Sequence, residues 1–128
     1  MARLEIEQQK IADGTMHLVR PRGKLDVFSF NDLKASFEAL RKEDKAAKIV
    51  VDMSAADYVA SSGWSVLLGC RKVLRLGGGS LVLCGLRPEI QRVYEVMRVT
   101  KLLPTCPDQA AAVRYLSEET PPSGEPDA

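Results

Sequence analysis

Apolar and polar positions change period several times along the chain, and each change marks an element. Residues 3–11 begin by alternating around Leu4 and Ile6, the period of a strand with one buried face. Ala12-Asp13-Gly14 follows as a hairpin turn, because Asp-Gly accepts the positive φ that such turns need. Thr15 to Pro21 is the return strand, with Met16, Leu18 and the stem of Arg20 on one side, and Pro21 marks a strand end or an edge. From Phe30 to Lys42 the period becomes helical, with Phe30, Leu33, Phe37 and Leu40 as the buried stripe. Ser29 and Asp32 ahead of it resemble a capping box. Lys48 to Met53 is a nearly continuous apolar run, β-branched at its centre, as in a strand covered on both faces.

A second helical period runs from Gly63 to Leu76 and stops at Gly77-Gly78-Gly79, a sequence suited to left-handed termination. Ser80 to Gly85 is another apolar strand, so strand, helix and strand form a parallel crossover. Pro88 opens a third helix that buries Ile90, Val93, Tyr94 and Met97. Leu102-Leu103 is read as a short edge strand. Pro107 starts a last helix with Ala110, Val113 and Leu116 facing inward. The pattern predicts one α/β domain over residues 1–116, a mixed sheet with helices packed against it. Residues 117–128, with Pro121, Pro122 and Pro126, are expected to form a disordered acidic tail.

A chain of 128 residues, 45% hydrophobic and 27% charged, suits one soluble domain with a real core. No apolar run is long enough to span a bilayer, and Met1 to Glu7 carries charges where a secretory leader is apolar. A cytoplasmic protein without membrane insertion is therefore expected. All 18 basic residues but only 13 of the 17 acidic ones fall within residues 1–116, leaving the body at +5 and the tail at −4. That excess is too mild for a nucleic-acid binder and is compatible with an acidic protein partner. Cys70, Cys84 and Cys106 are widely spaced and read as structural thiols. His17 is the only histidine, which excludes a multi-histidine metal site. It lies on the second strand and no G-x-S-x-G occurs, so the rival reading of a small serine hydrolase is disfavoured. The triple glycine runs from helix to strand, the wrong polarity for a phosphate-binding loop. No metal, cofactor or catalytic residue is assigned: Asp52 and Asp57 are too scattered for a metal or acid–base site, and Asp52, like Asp26, is read first as structural.

The stretch with chemistry is Val59-Ala60-Ser61-Ser62-Gly63-Trp64, where strand gives way to helix. A serine there caps the helix by accepting a backbone N–H, and the same N–H groups and helix dipole would also stabilise a phosphate. On a helical wheel Val66, Leu67, Cys70, Val73 and Leu74 share the face expected against the sheet. Trp64, Leu68, Arg71 and Arg75, with Lys72 beside them, fall opposite. That second face reads either as an exposed partner-binding surface or, for Trp64, as peripheral core over the sheet edge.

Several pieces together resemble the STAS family, specifically bacterial anti-sigma factor antagonists. They are Gly23-x-Leu25-Asp26, Ile49-Val-Val-Asp52, Ser61-Ser62-Gly63 followed by Val66-Leu67-Leu68, the glycine turn before Leu81-Val-Leu83, and Pro88 at a helix start. The resemblance covers about residues 3–116. It implies a mixed sheet of four to five strands with about four helices packed mainly on one side. It also implies a non-enzymatic, phosphorylation-switched binding module. Its second motif serine, Ser62, would be phosphorylated by a serine kinase that doubles as the anti-sigma factor, and a phosphatase would reset it. The unmodified form would sequester that kinase and free a sigma factor. Asp26 matches a family position near that serine, so Asp26, Ser61, Ser62 and Gly63 join Trp64, Leu68, Arg71 and Arg75 as partner-binding candidates. Two positions depart from the pattern: Ala60 replaces the usual acidic residue before the serines, and Trp64 replaces a smaller aliphatic one. The first leaves room for another role, a constitutive STAS subunit acting as a scaffold or in a lipid-transport complex.

Overall fold

A computed structural model describes residues 4–119. In chain order the elements are β1 (Glu5–Ile11), β2 (Met16–Leu25), α1 (Phe30–Glu43), β3 (Lys48–Asp52), β4 (Ala56–Val59), α2 (Ser61–Leu76), β5 (Ser80–Cys84), α3 (Pro88–Met97), β6 (Thr105–Cys106) and α4 (Gln109–Glu118). Hydrogen bonding orders the sheet β1-β2-β3-β5-β6, and β4 attaches to the far end of β2. Among the described residues only the β1–β2 pair is antiparallel. The mixed sheet therefore has six strands, one more than expected.

The sheet is central because its middle strands are apolar on both faces. Ile49, Val51, Leu81 and Leu83 point to one side, where Leu33 and Phe37 of α1, Leu67 and Leu74 of α2, and Ile90 and Tyr94 of α3 complete the larger core. Val50, Val82 and Cys84 point to the other, against Ala112 and Leu116 of α4. Three helices thus cover one face and α4 alone covers the second.

Several local expectations are corrected. β2 runs on through Pro21 to Leu25. Pro21 stands between the part of β2 paired with β3 (His17–Val19) and the part paired with β4 (Gly23–Leu25), where a missing N–H is tolerated. The four-residue β4 was not foreseen; it, and not β3, leads into α2. Ser29 does not cap α1: its Oγ donates to Lys24 O (2.6 Å) and accepts from Asp26 N (3.0 Å), bracing the loop. Phe30 at the head of α1 is only half-buried, and Val93 of α3 is exposed.

The edge strand is Thr105–Cys106, while Leu103 is a buried anchor in the preceding turn and Leu102 is exposed. Asp108 caps α4 by accepting from Ala111 N (2.9 Å), so Ala112 and Leu116 turn inward, Val113 is half-buried and Ala110 is exposed. The last helix also runs past the expected boundary at residue 116, and residues 120–128 of the expected tail lie outside the described residues. Among the three cysteines Cys84 is buried and Cys70 and Cys106 are half-buried; burial pushes the Cys70 and Cys84 thiols up to about 12, which makes them inert.

α2 is held firmly at its C-terminal end. Arg71 is 7% exposed and donates to Ser80 Oγ (2.8 Å), Leu81 O (2.9 Å) and Glu119 Oε2 (2.7 Å). Ser80 Oγ in turn donates to Glu119 Oε1, and Arg75 lies 3.7 Å from the same oxygen. Burial pushes the Glu119 carboxyl up, but the bonds from Arg71 and Ser80 outweigh it and hold the group below the usual range. Gly79 closes this end, since a side chain there would collide with the backbone of Ala47.

Candidate functional site

The parallel strands β2, β3, β4 and β5 all point their C-terminal ends the same way. The loops leaving them, at Asp26–Ser29, Met53–Ala55, Ala60 and Gly85–Arg87, therefore gather at one end of the sheet, where open α/β folds place their binding surfaces. The first turn of α2 stands in the middle of that cluster. Leu25 and Val59 are register partners, and Ala60 N donates to Leu25 O (2.8 Å). That bond sets the helix start beside Asp26.

Gly63 makes this approach possible. A Cβ on Gly63 would lie 2.9 Å from both Cβ and the carbonyl oxygen of Leu25 and 3.0 Å from Cγ1 of Val59. Only a glycine lets the helix seat against the strand ends, which explains the residue physically.

The helix begins earlier than its apolar period suggests. Ser61 and Ser62 are its first two residues and Ala60 is the N-cap, with no side-chain cap. The serines are thus not capping, and the expected cap is corrected. With no side-chain cap and no acidic residue in the first turn, this end keeps its positive partial charge uncompensated by any side chain of its own helix. Ser61 is exposed. Ser62 is half-buried, and its Oγ is shut off from water without a hydrogen-bond partner.

Asp26 is bound into its own loop: Oδ1 accepts from Phe28 N (3.0 Å) and lies 3.3 Å from Ser29 Oγ. This Asx turn, braced by Ser29 as described, pushes the next two side chains outward. Val27 is 63% exposed and Phe28 90% exposed, an apolar pair projecting from the loop that follows Leu25, the residue against which α2 starts. Tyr58 on β4 is exposed as well. Sequence reading did not single out Val27 and Phe28. The available signal was two adjacent apolar residues between Asp26 and Ser29, outside the stripe of α1.

The rest of the expected binding face is rearranged. Trp64 is 4% exposed and packs against Tyr94, ring centroids 6.2 Å apart, while Tyr94 OH donates to Leu103 O. Arg71 is the buried anchor described above. Both are therefore removed from the exposed surface, because α3 covers one and the end of α4 covers the other. Leu68 and Arg75 are half-buried at the flank of α2. Of the face expected inside, Leu67 and Leu74 are buried, Val66 and Cys70 are half-buried, and Val73 is exposed. Asp26, Ser61, Ser62 and Gly63 do come together at the helix start.

Asp52 is structural, as expected. Its Oδ1 accepts from Ser54 N (3.0 Å) and its Oδ2 from Arg20 Nε (2.9 Å). Burial pushes its carboxyl up, but those bonds together hold it below the usual range. Asp57 pairs with Arg87 on the surface (3.1 Å). No cluster of metal-ligating side chains occurs among the described residues, and no helix there is long and apolar enough to cross a membrane.

A family model described as the STAS domain matches residues 7–112, most of the chain. The chain belongs to the STAS family. Among relatives of this STAS protein is the putative anti-sigma factor antagonist BtrV of Bordetella bronchiseptica, 31% identical over 96 residues, which span 74% of this chain and 83% of the relative. Among solved structures, an anti-sigma factor antagonist from Mycobacterium paratuberculosis superimposes with a TM-score of 0.78 at 17% identity, over 90% of this chain and 95% of that one. The Bacillus cell fate determinant SpoIIAA, solved in a phosphorylated form, superimposes with a TM-score of 0.65 at 16% identity, over 86% and 98% of the two chains. At these identities the two structures speak for the fold.

Proposed function

We propose that this STAS protein is an anti-sigma factor antagonist that works by partner switching, with its contact surface at the start of α2 and its switch at Ser62. The observation that carries the reading is an uncapped helix start bearing Ser61 and Ser62, packed on Leu25, whose following loop exposes Val27 and Phe28. An apolar pair projecting into solvent next to a modifiable hydroxyl is the makeup of a contact that can be turned off. The relative named an anti-sigma factor antagonist and the neighbour solved in phosphorylated form support the same reading.

In this account the unmodified surface binds a serine kinase that is also the anti-sigma factor, which releases the sigma factor. Transfer of phosphate to Ser62 Oγ adds about −1.5 to −2 charge at neutral pH. Charge of that size beside Asp26, within an apolar contact, opposes binding by repulsion and by the loss of hydration. Among the described residues the Ser62 hydroxyl has no hydrogen-bond partner, so its modification removes no interaction seen there. Because that oxygen is shielded, the side chain must turn outward to meet the kinase. A phosphatase restores the binding form, and the exchange takes place in the cytoplasm.

Mass spectrometry of protein from its native cell tests the switch. The tryptic peptide 49–71 holds Ser54, Ser61, Ser62 and Ser65, so fragmentation must place the site. Phosphate on Ser62 whose occupancy varies with growth conditions is expected. A peptide unmodified at Ser62 under every condition would instead favour a constitutive STAS subunit, for which Ala60 in place of an acidic residue is the one specific observation.

A further inference from the structure

We propose that the groove between α1 and α2 is a binding site for a linear amphiphile with a single anionic head, a medium- or long-chain carboxylate. The groove has a volume of about 430 Å³ and a wall built from Phe30, Phe37, Val66, Cys70 and Val73. That size and apolar lining fall in the range of small-molecule sites, roughly 300–1,000 Å³. α1 and α2 each lead from the C-terminal end of one parallel strand to the start of the next, so they run in the same direction with their first turns together. The groove between them is therefore elongated, with Phe30, Lys34 and Ser62 toward one end and Arg41, Cys70 and Val73 toward the other.

Gly69 supplies an independent reason to expect an occupant. It lies in the middle of α2 and borders the groove, yet a Cβ there would meet nothing within 4 Å. Glycine is the poorest helix former after proline, and here neither packing nor a turn of the chain requires it. Its effect is to keep the mouth of the groove open.

The polar groups select the head. Lys34 stands on the α1 wall at the end bearing Phe30 and Ser62 and has no ion pair within the described residues, while Glu38 and Arg41 follow it along the same wall. The uncapped start of α2 adds positive potential at the Lys34 end, where the half-buried Ser62 borders the groove. A carboxylate fits at that end, and its chain extends over Phe37, Val66 and Val73. This site does not depend on whether Ser62 is ever modified.

The test is a titration of the purified ¹⁵N-labelled protein with decanoate below its micellar concentration, followed by amide chemical shifts. Saturable shifts clustered on Ser62, Val66, Gly69, Cys70 and Val73 are expected. Decyltrimethylammonium, with the same chain and the opposite charge, is expected to bind at least ten-fold more weakly. The Gly69→Leu variant, whose helix propensity improves, should fold as well as the parent and lose at least ten-fold in affinity, and Lys34→Glu should weaken decanoate selectively. Shifts scattered over the surface, equal binding of the cationic amphiphile, or full affinity in Gly69→Leu would each overturn the site. So would the absence of any shift.

Discussion

The two ends of α2 are built to opposite rules. At the C-terminal end a buried arginine has a hydrogen-bonding partner for each terminal nitrogen, a carboxylate is neutralised, and glycine lets two backbones touch. At the N-terminal end no side chain caps the helix, a serine hydroxyl lacks a partner, and two large apolar side chains face water. Both ends lie against the same sheet. One end therefore anchors the fold and the other is left unfinished, as a surface that something else completes must be.

Substitutions at the anchored end should have the largest effects. Arg71→Ala leaves Glu119 buried without its main partner and should destabilise the protein by about 3–5 kcal/mol in urea unfolding. Replacing both members with apolar residues, Arg71→Met with Glu119→Leu, should recover most of that loss, which separates a cost of unpaired charge from one of lost packing. Gly63→Ala pushes a methyl into Leu25 and should cost about 1–3 kcal/mol. Because Gly63 sets the helix start, partner binding should fall with it.

Acid should act through the anchored end too. The carboxyls of Glu119 and Asp52 both titrate lower in the folded protein than their ordinary 4.5 and 3.8. The unfolded chain then binds more protons, so their contribution is complete above those ordinary values and disappears as pH falls through the lowered ones. Melting temperatures measured between pH 6 and pH 3 should drop steeply below about pH 4.5, and Glu119→Gln should flatten part of that fall. At the unfinished end, Phe28→Ala should leave stability within about 0.5 kcal/mol. It should nonetheless weaken the cognate anti-sigma factor about ten-fold, an effect readable by calorimetry.

What the sequence disclosed follows the same division. Local periodicity was enough to place α1, β3, β5 and α3, though Phe30 and Val93 fall outside the buried stripes of their helices. It failed where partners come from far away. Trp64 and Arg71 fall opposite the apolar face on a helical wheel, but Tyr94 covers the first and Glu119, 48 residues on, covers the second. β4 is four residues whose pairing is wholly with β2, so nothing local announces it. The motif residues Ser61, Ser62 and Gly63 do open α2, and the Ala60–Leu25 bond brings the loop of Asp26 to that end. Val27 and Phe28 were missed because exposure depends on the Asx turn that turns them outward.

The central claim is that Ser62 controls binding without supporting the fold. Its most direct test is the affinity of Ser62→Asp for the cognate anti-sigma factor, measured alongside thermal unfolding and compared with Ser62→Ala. Ser62→Asp should bind at least about ten-fold more weakly, Ser62→Ala should bind as the parent does, and both should melt with the parent. Binding by Ser62→Asp as tight as that of the parent would contradict it.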